Sequence, residues 1–474
     1  MNTFLNYIYS HYTFNSRLLS VGRILISIIL LFDLLFRFQN FEAHYTNAGV
    51  LPTSIIKEYY PFYQYYFSLH NIFDSYVQQK CLFFIHFLIV SFLLVGYKTR
   101  VFTILNFIFL LSLHHRNPLI LQGGDDLLRL TIFYMIYLPW NRFYSLDAYL
   151  TNRKQNNYSS SNNEFSWMFV VFYFNIAFVY LFSAFLKTAD EWRVSGEAIY
   201  YALSLETLRL GLGHWTYSHP LLMKFATFFV YYVQEIIAPI FLILSINSFI
   251  RNVSLFLIIL LHLFIVTHLK VGIFPFVGIT TAIMLLNLHQ QNRIIITKFS
   301  KISFYFSLLI FILILRFNLA TLNTNYFTIT LLEDRILNSI GLSQRWNMFS
   351  PGVKRYDGHL VLRGIKSDNT EWDIIHNSSK IHYEKTTQNF NYLKGDRWRK
   401  FLENYEQTQY NFIKSYFCYY LIRQWNSKHP DNTIEALNIL YMKKITLPGY
   451  QFKNELENLC LCNPAIDKLT ISEN

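Results

Sequence analysis

The sequence predicts an all-α polytopic membrane bundle of 8–9 transmembrane helices, followed by a small α+β extracytoplasmic C-terminal region. Three observations carry this. Of 474 residues, 53% are hydrophobic and only 15% charged, against about 25% charge in an average soluble chain, too little to cover a globule of this size. Apolar stretches recur through the first two thirds instead of alternating with polar faces, which excludes a single buried core. Positive charge accompanies those stretches. Residues 1–320 hold 22 Lys and Arg against 13 Asp and Glu, a net +9, whereas residues 321–474 hold 19 against 16, a net +3. The overall +12 therefore reads as a topology signal, and no nucleic-acid partner is expected.

A bilayer core of about 30 Å needs about 20 mostly apolar helical residues. Candidate spans are 19–36, 81–97, 100–114, 126–140, 167–187, 221–246, 252–269, 271–288 and 302–320. The third and fourth are short, hence a count of eight or nine. The runs are continuous, without the dyad alternation of a membrane barrel. One set of connections carries Arg17, Lys98, Arg100, Arg142, Arg153, Lys154, Arg251, Arg293, Lys298 and Lys301. The positive-inside rule then puts the N-terminus in the cytoplasm and the C-terminal region outside. The first apolar run contains Arg23 and Asp33 and lacks a small-residue cleavage site, so no cleavable signal is expected.

Residues 1–320 are thus one multi-span membrane domain, and residues 321–474 a polar, aromatic extracytoplasmic region. In the latter, Asp357-Gly-His-Leu-Val-Leu-Arg-Gly and Trp372-Asp-Ile-Ile read as a β-hairpin turning at Asp368-Asn369. Residues 394–426 read as helical, with Trp398, Phe401, Tyr405, Phe412, Tyr416 and Tyr420 near one face. Residues 155–163 form a polar low-complexity loop. Cys81 reads as inert packing in a span, while Cys418, Cys460 and Cys462 lie where a disulfide is permitted. A Cys-X-Cys pair is a poor zinc pattern, and no metal is predicted.

Ionisable residues inside spans need partners or a task. Arg23 and Asp33 stand ten residues apart, about 15 Å of helical rise, so they cannot pair with each other. Arg23 either snorkels or serves a site, and Asp33 needs a partner on another helix. Glu235 lies in mid-span four residues before Pro239, which opens the helix there; it either lines a wet cavity or ties two helices. His262 and His268, six apart, do not share a helical face and read as hydrogen-bonding residues. Lys187 ends the fifth span just before Asp190-Glu191, which would hold it charged. It reads as an anchor or, if withdrawn from water, as a base. Of Asp125 and Asp126, which follow Gly123-Gly124, one is expected to cap the next helix and the other to make a tertiary contact. No phosphate-binding loop, zinc-protease motif or nucleophile elbow is present.

Several of these residues share their order with one family. They are Arg23 and Asp33 at their spacing, Asn117 before a glycine, Ser145-Leu-Asp147, and Tyr180 through Lys187 to Trp192. Further ones are the mid-span Glu235, and His262 twelve residues before Phe274 in Val-Gly-Ile-Phe. Together they resemble the membrane (HTTM) domain of the vitamin K-dependent γ-glutamyl carboxylase over roughly residues 15–290. A weaker match follows in Gln344-Arg-Trp-Asn-Met-Phe, the Asp357 hairpin and Arg397-Trp398.

The resemblance implies a membrane pocket open to the outside, an activity of the carbon–carbon lyase type, and vitamin K hydroquinone or a related quinol as cofactor. Lys187 would be the catalytic base. Asn117, His262, Tyr180 and Trp192 would bind the cofactor, and Arg23, Asp33, Glu235 and Asp125 would form an intramembrane polar network. The reaction would be carboxylation, with CO2 and O2, of a glutamate in a secreted or extracytoplasmic peptide, which the short 321–474 region would engage. The animal enzyme carries histidine directly after the asparagine matched to Asn117, where this chain has Pro118. The alternative is a non-carboxylating HTTM protein in maturation or export of a secreted peptide. A transporter is the third class, motivated by Glu235 beside Pro239, though no internal repeat is visible.

Overall fold

The computed structural model describes residues 8–464 except 10, 60–62, 64–65, 156–162, 288–294, 297–300 and 323–326, with the backbone alone at 152–155, 295–296 and 390. The interior of the predicted polar loop, Arg293 and Lys298 lie outside the described residues, as do the side chains of Arg153 and Lys154.

Among the described residues, nine helices carry the apolar sequence: α1 (Ser16–Gln39), α2 (Tyr76–Val95), α3 (Thr99–Arg116), α4 (Gly123–Met135), α5 (Trp167–Leu186), α6 (Pro220–Leu244), α7 (Ser248–His268), α8 (Phe274–Leu285) and α9 (Lys301–Thr321). Six of them, α1, α2, α5, α6, α7 and α9, are long and apolar enough to cross a membrane. Their outer faces are as apolar as their inner ones. On α1, Leu19, Ile26, Leu30 and Leu34 are buried, while Ile28, Phe32, Leu35 and Phe36 face outward. On α2 the outward row is Phe84, Leu88, Phe92 and Val95. A helix that is apolar all round and exposed on one side suits lipid, not water. The fold is a helical membrane bundle with a mixed C-terminal region.

Local signals start and stop these helices. Asn15 caps α1 by accepting the N–H groups of Arg17 and Leu18. Ser75 and Gln78 form a capping box on α2, which ends at Gly96 in the left-handed region (φ 72°). Arg23 is fully buried and does not snorkel. Its guanidinium donates to the Leu93 and Leu94 carbonyls at the end of α2 and to the Tyr144 carbonyl. The Leu93 and Leu94 carbonyls belong to the last turn of α2, where a cation is favoured. Asp147 does the complementary task at α3, accepting the N–H groups of Lys98 and Thr99.

The two ends of the bundle differ. At one end the strands β1 (Thr13–Asn15), β2 (Asn163–Phe165) and β3 (Ile295–Ile296) join three connections in a small sheet. At the other sits the C-terminal region. It is a four-stranded antiparallel sheet in the order β5 (Glu371–Asp373), β4 (Tyr356–Ile365), β6 (Ala436–Thr446), β7 (Phe452–Cys462), covered by α10 (Asp396–Tyr405) and α11 (Lys414–Lys428). The β4–β5 hairpin turns at Asp368–Asn369, with Asn369 at φ 62°. A disulfide joins Cys418 on α11 to Cys462 on β7.

Two expectations are corrected here, and one hairpin is added. Cys81 is exposed on α2 and packs against nothing inside. The expected 394–426 helix is broken by a 3-10 turn, Thr408–Ile413, whose tighter winding rotates the stripe. As a result α11 buries Phe417, Cys418 and Leu421 and leaves Tyr416 and Tyr420 half-buried. The long β6–β7 hairpin went unpredicted.

Candidate functional site

A cavity of about 580 Å³ opens between the bundle and the C-terminal region. Its inner walls are Val179, Val230, Leu261, Phe264, Ile265 and Phe274, from α5 to α8. Toward the C-terminal region the lining becomes charged, with Arg345, Lys354, Arg399, Lys400, Glu403 and, from α4, Asp126. The volume is that of a pocket for a small organic ligand.

Lys187 and Glu235 meet in its wall. Lys187 follows the last turn of α5, and its ammonium donates to Glu235 Oε1 at 2.6 Å, Glu235 Oε2 at 2.7 Å and Ser183 Oγ at 2.7 Å. Those three partners use all three N–H bonds of the ammonium. The Trp192 ring lies 4.9 Å from Nζ, a cation–π distance. Lys187 is 2% and Glu235 7% exposed. Glu235 reaches this position from a nine-residue π-helical stretch of α6, Phe229–Ile237, just before Pro239. Pro239 has no N–H to return to the preceding turn, and the wider winding re-aims the side chains ahead of it.

Of the two carboxylates expected to hold Lys187 charged, Glu191 is engaged elsewhere. It turns away, accepting the Val353 N–H and pairing with Arg355 at 2.7 Å. Lys187's counter-ion comes from 48 residues downstream, a pairing that no local spacing reveals. Glu235 both lines the cavity and ties α6 to α5.

Of the residues assigned to cofactor binding, Tyr180 and Trp192 line the cavity. His262 stands directly behind, fully buried, with Nε2 2.8 Å from the Tyr180 hydroxyl. Its ring fits against α8 because residue 278 is glycine: a Cβ there would come 2.0 Å from His262 Nε2. His268 is hydrogen-bonded separately, to Thr216 Oγ1 at 2.9 Å. Asn117 is not in the cavity. Its amide donates to the His44 carbonyl and its oxygen caps the short turn before α4 at Leu119.

The four residues expected to form one polar network occupy three places. Arg23 holds the end of α2, and Glu235 pairs with Lys187. Asp33 and Asp125 do share a cluster, with Arg37 and Arg397. Arg37 Nε meets Asp33 at 2.7 Å and its Nη2 meets Asp125, while Arg397 bridges Asp33 at 2.7 Å and Asp125 at 2.5 Å. Two cations and two anions alternate in a buried ring, and the Tyr45 hydroxyl accepts from Arg37 at 2.7 Å. Asp125 also accepts the Gln122 N–H at the start of α4, so one aspartate caps and makes the tertiary contact, while Asp126 pairs with Arg129. Arg37 was overlooked although it stands four residues after Asp33, the spacing of a helical ion pair.

Compared with known proteins, the chain matches no family model, no curated protein and no solved structure. Fold and site therefore define the class directly: a helical membrane protein whose cavity is walled by a buried lysine–glutamate pair and capped by a basic C-terminal region.

Proposed function

We propose that this protein is a multi-pass membrane enzyme in which Lys187 acts as a base on a quinol-type cofactor, with carboxylation of a peptide glutamate as its reaction. The observation that carries the reading is the Lys187–Glu235 pair in the wall of an apolar cavity. A buried ion pair bears a desolvation penalty that disappears when the proton moves from lysine to carboxylate. Glu235 can thus take a proton from Lys187 and leave a free amine, the form able to accept a proton from an acidic hydroxyl. Tyr180, oriented by His262, and Trp192 would hold the ring of such a ligand beside Nζ. When bound, the quinol would supply, through its oxidation by O2, the strong base that the reaction needs. The apolar walls exclude water from the site of proton removal. Arg345, Lys354, Arg399 and Lys400 at the mouth suit an acidic peptide.

The reading includes nine crossings with a cytoplasmic N-terminus and an extracytoplasmic C-terminal region. The short helices support the count. α3 ends at Arg116, bonded to Tyr45 and Leu51 beyond the end of α1, whereas Trp140 after α4 reaches back to Thr103 near the start of α3. At α8, Met284 packs against Gly22 near the start of α1. These contacts suit an alternation of α3, α4 and α8 with their longer neighbours.

Purified protein given reduced quinone, labelled bicarbonate and a glutamate peptide should fix label, and Lys187→Ala should abolish it. Failure with every quinone tried, or full activity in the alanine variant, would refute the proposal. The second reading, a non-carboxylating maturation or export factor, is favoured by Pro118 and by Asn117 lying outside the cavity. Under it, gene deletion alters secreted peptides without any change of one CO2 mass.

A further inference from the structure

A second cluster of chemistry-bearing side chains lies in the C-terminal region, away from the cavity. β5 ends at Asp373, and a tight turn follows in which Asp373 and Ser378 exchange backbone hydrogen bonds of 2.8 and 3.2 Å. The turn brings His376 and, after one more reversal, His382 back onto the Asp373 carboxylate. Oδ2 lies 2.9 Å from His376 Nδ1 and 3.2 Å from His382 Nδ1, and the two rings are 4.5 Å apart. Asp373 is 1% exposed, whereas the His382 side chain is 39% exposed.

Hydrogen bonding occupies the outer nitrogen of His376. Asn389 donates its amide to the Leu360 carbonyl, so its oxygen faces Thr386, whose backbone N–H it accepts at 2.8 Å. The Thr386 hydroxyl lies 2.8 Å from that same oxygen and gives its one proton there. It must then accept from His376 Nε2–H, also at 2.8 Å. With Nε2 engaged in that way, Nδ1 is the ring nitrogen that faces the carboxylate. Oδ2 already accepts the His382 backbone N–H at 2.9 Å, so two ring nitrogens converge on an oxygen with little capacity left. A metal ion among the three atoms would engage both ring nitrogens and the carboxylate at once. Ligand atoms about 2.0–2.1 Å from a metal ion stand about 3.0–3.4 Å from one another, close to the two spacings onto Oδ2, and all three atoms lie within 4.8 Å of one another.

We propose that Asp373, His376 and His382 bind one first-row transition-metal ion of the zinc class. Two imidazoles and one carboxylate favour such an ion over magnesium or calcium. Thr386 on His376 Nε2 and the backbone N–H groups on Asp373 are the outer partners that orient metal ligands. The His382 side chain, partly in solvent, leaves that side of the cluster accessible to an ion. The ion clasps the strap 374–386 to the sheet, and that strap carries Lys385, which pairs at 2.7 Å with Glu206 of the membrane domain. The metal thus fixes one of the contacts between the two parts of the chain.

The test uses untagged, chelator-stripped full-length protein in detergent. Titration with cobalt(II), followed by its visible spectrum and by zinc competition, should show one equivalent per chain. His376→Ala and His382→Ala should each weaken binding by at least about tenfold, and exposed His219→Ala should leave it unchanged. Zinc should raise the unfolding temperature of the parent protein but not of His382→Ala, whose side chain is partly in solvent and whose metal-free fold should persist. No stoichiometric binding, or binding equally strong in both variants, overturns the proposal.

Discussion

Lys187 has spent every N–H on Glu235 and Ser183, so the pair is sensitive to the loss of either partner. Glu235→Gln leaves a buried ammonium without a counter-charge, and breaking a buried pair in this way costs about 3–5 kcal/mol. The expected outcome is a lower unfolding temperature in detergent together with lost activity, whereas a variant as stable as the parent would mean that the charge is not confined there. Gly278→Ala tests the packing behind Tyr180. The added methyl overlaps His262, so it should cost about 1–3 kcal/mol and displace Tyr180; unchanged unfolding would contradict it. Glu206 gives a pH signature outside the membrane. Burial works against its charge, but the Lys385 and Lys444 ammonium groups, each at 2.7 Å, hold its carboxyl at about 2. A depressed carboxyl stabilises the fold fully above its ordinary value near 4.5 and progressively less as pH falls toward about 2. Thermal unfolding scanned across that window should therefore fall with acid, and Glu206→Gln should flatten the slope.

Among the elements, the amphipathic logic of soluble helices fails in α1 and α2 because lipid accepts their outer faces. Length and composition were enough to locate the nine apolar helices among the described residues. The C-terminal hairpin β4–β5 was legible from its Asp-Asn turn. The β6–β7 hairpin was not: the first six residues of β6 are all buried, so its sequence shows no alternation. In β7, Lys453, Glu455 and Glu457 mask the strand while blunting the sheet edge. The disulfide closing that hairpin onto α11 spans 44 residues, and closing a loop of that length contributes about 4 kcal/mol. Cys462→Ser should lower stability by about that amount, read as earlier unfolding of the C-terminal region. Equal stability under reducing and oxidising conditions would show that the bond adds nothing.

For the whole molecule, the ring of Asp33, Arg37, Asp125 and Arg397 joins the C-terminal region to the bundle beside the cavity. Arg397→Ala leaves two carboxylates facing one arginine and should cost about 3–5 kcal/mol. Limited proteolysis should then release the region as a separate fragment, and persistence of a protease-resistant whole would argue against the coupling. Composition and the period of apolar runs were sufficient to indicate a helical membrane protein, the approximate positions of its apolar helices, and which few charges stood in apolar surroundings, because those properties are local and additive along the chain. They could not show which charges meet. Glu235 finds Lys187, Arg397 finds Asp33 and Asp125, and Asn117 stays out of the cavity because helix packing and the π-helical turn of α6 set distances between residues far apart in sequence. The chain alone thus announced that Lys187 and Glu235 needed partners, and packing in three dimensions made each the partner of the other.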